Sequence, residues 1–400
     1  MANAHTTGAV PAPGTYTASK GMKTTYSVLM FLGVLGFGLA LFKDAHRAWF
    51  SFLTSYFYFI SLALGGLFFA AIQNVTKAGW SVNVRRLMEA MSAYLPIGAV
   101  ATVVLLIGSR YLYIWLDPET VAGDRLLTAK SAYLNMPFFI VRVVIFVGAW
   151  LILRRLIVGH SLQQDQDGQE SHTLKNVGLS IAFILIFALS YSLFSVDTLM
   201  SLQPHWYSTI WGVYCFAGLF QSSLAVMVLL ALHLQKQGIV RGRITEEHVH
   251  DLAKFMKAFT VFYAYIGFSQ FLLIWYANLP EETIFYLARS GGGWMAATLS
   301  LLVFKFAVPF LLLLPRAAKR NPAHLTLVAI LILVMQYIDI HWMVYPNFSE
   351  TWILGWQEIG TFLLFGGLFL WSVTTFLSRN PVVPLKDPRL DESMHHHVTY

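Results

Sequence analysis

The chain has 400 residues, of which 57% are hydrophobic and only 12% are charged. Soluble proteins carry about 25% charged residues, and a soluble fold of this length could not hide so much apolar surface. The composition therefore excludes a soluble protein and indicates a polytopic membrane protein. The single cysteine, Cys215, excludes disulfide scaffolds and thiolate metal clusters.

Ten apolar stretches are long enough for a helix to cross a bilayer core of ~30 Å, which takes about 20 residues. The sequence thus predicts an all-α fold with ten transmembrane helices. No small-residue cleavage site of a signal peptide precedes the first stretch, so we expect the first helix to be retained. The stretches lie at residues 24–42, 50–72, 87–109, 132–153, 176–196, 207–233, 255–275, 294–314, 325–345 and 352–376.

Lysine and arginine indicate the orientation, because they accumulate in cytoplasmic connections. Most of the 27 lysine and arginine residues lie in the N-terminal segment, in the connections after even-numbered helices, or in the C-terminal tail. We therefore expect both termini in the cytoplasm. The basic residues lie between apolar stretches rather than in one patch, so the net charge of +7 reflects topology and does not indicate a nucleic-acid partner.

Two similar units follow one another in the middle of the chain. Trp49 opens the second helix and Trp206 the sixth, and an intramembrane basic residue follows in each unit, first Arg142 and then Lys305. The same order in the same orientation predicts a parallel repeat of two four-helix bundles. The predicted parts are an N-terminal tail at 1–23, a peripheral helix at 24–44, bundles at 45–196 and 197–345, a peripheral helix at 346–378 and a C-terminal tail at 379–400.

Arg142 and Lys305 are the basic residues deepest in the predicted helices. A charge at the bilayer centre costs at least ~2.5–3.5 kcal/mol, so each needs a partner or water inside its bundle. Counting along the predicted helices places both near the midplane, at similar depth. They either contribute to a path for protons or form an ion pair that fixes helix packing, and the sequence leaves both interpretations open.

Asp339 and Glu358 lie at one depth on consecutive helices, about 9 Å below the outer surface. Two carboxyl groups that share a low-dielectric site do not both ionise readily, so one of them can hold a proton and exchange it with a histidine. His341 and Tyr337 are close to Asp339 in sequence. We therefore expect a proton relay here. The alternative is that one carboxyl group faces an outer vestibule or the side chain of Arg289.

Further candidates for a proton path lie near the helix ends. The hydroxyl-rich end of the fifth helix, which includes Tyr191, leads to Asp197, and His205 follows on the outer side. Glu89, near the cytoplasmic start of the third helix, is a candidate inner entrance or else an interface anchor. The three histidines at 395–397 are expected in a solvated, disordered tail, with metal binding as the alternative.

The histidines near membrane depth argue against haem on this chain. A transmembrane haem b requires two histidines that face each other from neighbouring helices. Of the four, His233 lies on the cytoplasmic side, and His46, His205 and His341 lie on the outer side. We therefore expect no cofactor on this chain.

Two segments resemble a known family. Residues 195–210, SVDTLMSLQPHWYSTI, and residues 46–68, which begin HRAWFSFL and end ALGGLF, resemble the membrane subunits of bacterial alternative complex III. That complex is a quinol:cytochrome c/high-potential iron–sulfur protein oxidoreductase, and its membrane subunits belong to the wider polysulfide-reductase (NrfD-like) family. The resemblance covers essentially the whole chain and is closest to the shorter of the two homologous membrane subunits, often named quinone-binding subunit 2.

The resemblance implies a haem-free subunit of a respiratory complex in the bacterial inner membrane, with two four-helix bundles flanked by a first and a last helix. The implied partners are the longer homologous quinol-binding subunit, multihaem and monohaem cytochrome c subunits, an iron–sulfur subunit, lipids and, as a further candidate, a terminal oxidase. Haem c and iron–sulfur clusters would then lie on partner subunits, with menaquinol or another quinol nearby. The longer subunit is generally assigned the quinol site, and the shorter one structure and a candidate proton route.

Two other functions stay open at this point. The chain is alternatively a quinol-oxidising subunit in its own right, with the quinol headgroup near an outer carboxylate or histidine. Parallel repeats and intramembrane charges also suit a secondary transporter. Against a transporter, no pair of helices in corresponding positions carries the glycine and proline pattern of an unwound segment.

Overall fold

The computed structural model describes residues 14–397. Within this part of the chain, ten helices are long and apolar enough to cross a membrane, and no strand occurs. The protein is an all-α polytopic membrane protein, as its sequence predicts. The ten helices, named α1 to α10 in chain order, are Lys20–Lys43, Ala45–Val75, Gly79–Tyr111, Met136–Asp167, Ser171–Leu202, Trp211–Lys236, Glu246–Ala277, Trp294–Leu312, Pro322–Asn347 and Trp356–Arg379.

The helix ends differ from the ends of the apolar stretches where capping residues decide them. The apolar stretch predicts a fourth helix from residue 132, but α4 begins only at Met136. The side chain of Asn135 accepts a hydrogen bond from the backbone N–H of Phe138 at 2.9 Å, and Pro137 occupies the first turn. At its other end α4 continues through polar residues until Gly168, whose φ of 72° suits a glycine that ends a helix.

The ten helices pack as two rings of four with two additional helices. The helices α2 to α5 each pack on the next, and α5 packs back on α2; α6 to α9 are arranged in the same way. We call these rings the first and the second unit. Since α2 and α6 pack against each other between the units, α2 is buried along almost its whole length. The duplication itself, and the boundary after residue 196, stay predictions.

Both ends of the described chain lie on the same side of the molecule. The ring centroid of Tyr16 is 6.0 Å from that of His233, near the end of α6. The ring centroid of His396 is 6.0 Å from that of Trp80, at the start of α3. We call this side the terminal side and the other the opposite side. That the terminal side is cytoplasmic stays a prediction.

The peripheral helix α1 packs chiefly on α10, at the other end of the chain. The two helices approach each other at glycines. A Cβ atom on Gly33 would lie 2.4 Å from the backbone nitrogen of Leu364, and one on Gly36 would lie 3.1 Å from the Cα atom of Gly360. Small residues let the backbones of two membrane helices approach closely, and this close approach gives the helices extensive van der Waals contact. A larger side chain at Gly33 would displace α1.

The C-terminal segment folds back across the terminal side, so the expectation of a disordered tail is wrong for the residues up to His397. Val382 and Val383 are fully buried, and the carboxylate of Asp387 lies 2.6 Å from Arg85 on α3. Near the end of the segment, His396 bonds to Asp251 on α7 at 2.7 Å. The segment is ordered because it buries apolar side chains and bonds to charged side chains of both units. Within residues 14–397, no group of three His, Cys, Asp or Glu side chains is placed to hold a metal ion.

Candidate functional site

Each unit contains a buried ion pair between its third and fourth helices. In the first unit, Arg142 on α4 donates two hydrogen bonds to Asp197 on α5, with Nε–Oδ2 and Nη2–Oδ1 distances of 2.8 and 3.0 Å. In the second unit, Nζ of Lys305 on α8 lies 2.5 Å from Oδ2 of Asp339 on α9. All four side chains are buried. Burying two charges costs free energy because both lose their contacts with water. The attraction within the pair offsets this cost only when its remaining polar atoms also form hydrogen bonds, so the surroundings of each pair determine its role.

The surroundings of Arg142 hold its guanidinium in place. The group also donates to the carbonyl oxygen of Tyr133 at 3.0 Å, and it lies 3.8 and 4.3 Å from the ring centroids of Tyr133 and Phe138. A guanidinium matches a carboxylate with two parallel bonds and does not lose its proton in proteins. The Arg142–Asp197 pair therefore holds α4 against α5. Of the two interpretations that the sequence left open, this arrangement corresponds to an ion pair that fixes helix packing.

Arg142 lies nearer to a helix end than its sequence position suggests. It is six residues from the opposite-side end of α4, whereas Lys305 is eleven residues from that end of α8. At ~1.5 Å per residue, the two differ by about 7 Å along their helices. Along its helix, Arg142 is therefore closer to the opposite-side end than Lys305 is, whereas the depth of the two side chains in the membrane stays a prediction. The reason is the late start of α4, which Asn135 and Pro137 determine.

Lys305 belongs to a larger polar network inside the second unit. Its Nζ also donates to Oε1 of Gln336 at 2.7 Å and lies 3.8 Å from the ring centroid of Tyr263. The other carboxylate oxygen of Asp339 accepts a hydrogen bond from the hydroxyl of Tyr214 at 2.6 Å, and that hydroxyl lies 2.9 Å from the hydroxyl of Tyr263. The four helices of the unit thus all contribute: α6 and α7 supply the tyrosines, α8 the lysine and α9 the carboxylate.

Tyr214 and Gln336 are members of this network that the sequence analysis missed. A signal for Tyr214 was available, because Tyr214, Gly218 and Gln221 lie at positions i, i+4 and i+7. They therefore share one face of a helix that is otherwise apolar. Gly218 leaves room for the side chain of Gln336, since a Cβ atom at position 218 would lie 2.8 Å from Oε1 of Gln336. Gln336 precedes Asp339 by three residues and so shares its face of α9.

Glu358 does not share a site with Asp339. Its carboxylate accepts two hydrogen bonds from Arg47 on α2, at 2.8 and 3.0 Å, and one each from the hydroxyl of Tyr345 at 2.7 Å and the backbone N–H of Gly355 at 2.6 Å. The two carboxylates therefore have separate cations, and the expected pair of acids sharing one low-dielectric site is wrong. Glu358 instead ties the start of α10 to α2 and to the end of α9. No sequence pattern indicates Arg47 as the partner of Glu358, because the two residues lie 311 positions apart.

His341 and Tyr337 lie near Tyr345 and Glu358 rather than in the Lys305 network. The ring centroid of His341 is 3.8 Å from that of Tyr345, and its Nε2 donates to the carbonyl oxygen of Ile353 at 2.9 Å. The hydroxyl of Tyr337 donates to the backbone carbonyl of Glu358 at 3.4 Å. Because Nε2 carries the proton, Nδ1 of a neutral His341 presents a lone pair. This Nδ1 is buried and has no hydrogen-bond partner among residues 14–397.

Arg289, the alternative partner for an outer carboxyl group, binds backbone instead. Its guanidinium donates to the carbonyl oxygens of Trp342, Met343 and Phe285 at 3.0, 3.0 and 2.6 Å. The first two belong to the last turns of α9, whose carbonyls have no partner within the helix. Arg289 is therefore a cap for α9, where a positive charge is favourable.

Glu89 lies on the terminal side and is buried within a cluster of charged side chains. Its carboxylate is 2.7 Å from Arg86 and 3.7 Å from Arg85, and Arg86 also pairs with Asp165 at the end of α4. Only 1% of Glu89 is exposed. The C-terminal segment closes this cluster through Asp387, which pairs with Arg85. These contacts match the description of Glu89 as an anchor, and the cluster joins α3, α4 and the C-terminal segment.

The remaining candidates lie outside the Lys305 network. His205 on the opposite side is 2.5 Å from the carboxylate of Asp124, in the connection between α3 and α4. This hydrogen bond holds the pKa of Asp124 below its usual value. Tyr191 lies between the units, with its hydroxyl 3.0 Å from that of Ser61 on α2. Of the ten candidate residues, the structure thus joins Lys305 with Asp339, Arg142 with Asp197, and the hydroxyl of Tyr337 with the backbone of Glu358.

The second unit therefore holds a buried, hydrogen-bonded lysine–carboxylate pair flanked by two tyrosine hydroxyls, and the first unit holds a clamped arginine–carboxylate pair. No protein-family model matches the chain, and no curated protein matches it either.

Proposed function

We propose that the chain is a haem-free membrane subunit of a respiratory quinol oxidoreductase of the alternative complex III type, in which it supplies structure and a path for protons through the second unit. The resemblance of residues 195–210 and 46–68 to the membrane subunits of that complex supports the class of complex. The Lys305 network supports the proton path. In this proposal, electrons move on partner subunits that carry haem c and iron–sulfur clusters, and a quinol binds nearby.

The difference between the two ion pairs carries the proposal of a proton path. An arginine stays charged, so the pair of Arg142 and Asp197 cannot exchange a proton internally. A buried lysine can release its proton, and a lysine ammonium 2.5 Å from a carboxylate can pass it across one hydrogen bond. Tyr214 and Tyr263 extend the hydrogen bonds from Asp339 toward α7. A chain of groups that both donate and accept is what proton transfer inside a membrane requires.

The class of complex is tested by purification. An affinity tag on this chain, expressed in its native membrane, should recover a complex with covalently bound haem c, with iron–sulfur clusters, and with quinol:cytochrome c reductase activity. The matched control is the same purification from the untagged strain. Recovery of the chain without haem or iron would overturn the proposal, and substrate-driven uptake into vesicles by that material would favour the transporter.

His341 favours a second candidate function. A buried imidazole nitrogen that offers a lone pair is the group that accepts a proton from a quinol hydroxyl, and Nδ1 of His341 is such a group. In this alternative the chain oxidises quinol itself. Loss of quinol oxidation in detergent on His341→Gln, with the haem and iron content unchanged, would favour it over a purely proton-conducting role.

A further inference from the structure

A cavity of about 490 Å³ lies where α1, α2, α6, α9 and α10 meet. It lies between the two units and under the peripheral helices, away from the Lys305 network. On α10 its lining extends from Phe362 to Leu377, which is about 22 Å of helix at ~1.5 Å per residue. The cavity is thus a long channel that runs from the middle of the molecule to the terminal side.

The wall of this cavity offers few bonding partners to water outside its terminal-side end. The lining is hydrocarbon, thioether or glycine except for Tyr16, Tyr58, His233 and Thr374. The hydroxyl of Tyr58 already donates to the carbonyl oxygen of Leu333 at 3.1 Å, and that of Thr374 donates to the carbonyl oxygen of Leu370 at 2.7 Å. A buried water needs two to four polar partners, so hydrocarbon fills this space better than water does.

The cavity reaches the outer surface of the helix bundle beside α9. Ile330 and Val334 of α9 line it and are nevertheless 49% and 53% exposed. Because these residues lie in the middle of a membrane helix, the opening faces the bilayer. An occupant therefore enters from the lipid. The channel is longer than the ~15 Å that one leaflet contributes to the hydrocarbon core, so it can take one acyl chain lengthwise.

The helices that border the polar end of the cavity carry basic residues at their terminal-side ends. Tyr16 and His233 line it on the terminal side, where α1 begins with Lys20, α6 ends with Lys236 and α10 ends with Arg379. No acidic residue lies in the terminal-side turns of the five helices that border the cavity. Clusters of lysine and arginine at this level of a membrane attract anionic phospholipid headgroups.

We propose that this cavity is a binding site for a single anionic phospholipid of the terminal-side leaflet. One acyl chain occupies the channel, and the headgroup lies against Tyr16, His233 and the basic helix ends. The lipid fills the space between the two units, where an empty cavity would deprive the surrounding side chains of contact. The site is independent of the proposed respiratory function.

Native mass spectrometry of the purified protein after extensive detergent exchange tests the site. The wild-type chain should retain one anionic phospholipid per copy. Gly366→Phe places a ring into the cavity, since a Cβ atom at Gly366 already lies 3.4 Å from the ring of Phe59, and should lower the retained lipid at least tenfold. Gly148→Phe is the matched control, because a Cβ atom there meets no atom within 4 Å. It should retain lipid as the wild type does.

The charge of the headgroup is tested separately. In nanodiscs of equal phosphatidylglycerol and phosphatidylcholine, the wild type should retain phosphatidylglycerol, and the double variant Lys20→Gln, Lys236→Gln should retain both equally. Phosphatidylglycerol with brominated chains gives a check that needs no variant, because bromine density should appear along α10 inside the cavity. Retention of a quinone in place of the lipid, an unoccupied cavity, or equal lipid in Gly366→Phe and wild type would overturn the proposal.

Discussion

Pro309 lies four residues after Lys305 and removes the backbone donor that the carbonyl of Lys305 would use in a regular helix. That carbonyl instead accepts a hydrogen bond from Nε2 of Gln221 on α6, at 3.2 Å. The turn from Leu301 to Ala307 is widened to a π-helix, a feature that recurs at functional sites. Lys305 is therefore bonded to α6 through its backbone and to α9 through its side chain, so one residue connects three helices of the second unit.

Replacement of Lys305 by methionine should destabilise the second unit. Methionine keeps the bulk but leaves Asp339 charged and without its cation, which costs about 3–5 kcal/mol in a buried pair. The double variant Lys305→Met, Asp339→Leu should regain most of this stability because no charge is left unpaired. Unfolding of the purified variants in a mixed-detergent titration measures both changes. A single variant as stable as the wild type would mean that Lys305 does not neutralise Asp339.

The variant Asp339→Asn should separate proton movement from quinol oxidation. Asparagine keeps the shape and can accept the hydrogen bond from Tyr214, but it cannot take up the proton of Lys305. We expect quinol oxidation of the complex to persist in detergent and the proton release that accompanies turnover in vesicles to fall. The two measurements are the rate of cytochrome c reduction and the pH change outside the vesicles.

Glu358→Gln is the matched control for Asp339→Asn, because the two carboxylates lie on neighbouring helices but have different cations. Glutamine at 358 weakens the bonds to Arg47, and hydrogen bonds to charged groups contribute about 1.5–3 kcal/mol each. This variant should lower stability and leave proton release unchanged. If Asp339→Asn alters neither activity, Asp339 is structural; if it abolishes quinol oxidation in detergent, Asp339 belongs to a quinol site.

Much of the fold follows from the sequence because a membrane restricts the chain to helices of known length. Ten helices, and the buried positions of Arg142 and Lys305, were predictable from apolar stretches and the cost of an unpaired charge. Their partners were not, because an ion pair depends on how the helices are rotated about their axes, and adjacency in sequence favoured the wrong pair, Asp339 with Glu358. The hydrogen bond from Gln221 to the carbonyl of Lys305 likewise could not be predicted, because no local pattern relates Gln221 to Pro309.

The orientation is testable with reporter fusions. A reporter after Glu282, on the opposite side, should read external, and one after Gln169, between α4 and α5, should read cytoplasmic. The physical reason is the excess of lysine and arginine on the terminal side. The reverse pattern would place both termini outside and would move the proposed phospholipid to the outer leaflet.

The connection between α3 and α4 should loosen at acidic pH. The hydrogen bond from His205 lowers the pKa of Asp124, so this carboxylate stabilises the folded connection above its unfolded pKa, about 3.9, and the contribution is lost as the pH falls through its folded value. Hydrogen exchange of residues 118–130, corrected for the intrinsic rate, should show protection at pH 7 that decreases below pH ~4.

Asp124→Asn should reduce this protection already at pH 7, because an amide is a weaker acceptor than a carboxylate. Glu119→Gln in the same connection is the control, and its protection should follow that of the wild type. A wild-type profile independent of pH between 3 and 7 would show that the contact between Asp124 and His205 does not hold the connection.

The glycine contact between α1 and α10 has a consequence for the way the protein is made. The ribosome releases α1 first and α10 last, so the first helix to enter the membrane can pack on α2 early but meets its main partner only when the whole chain has been inserted. During synthesis its glycine face is open to lipid and to the insertion machinery. Docking of α1 on α10 is therefore a late step of assembly, and a chain truncated before Trp356 would contain every residue of both units and yet leave the glycine face of its first helix without a partner.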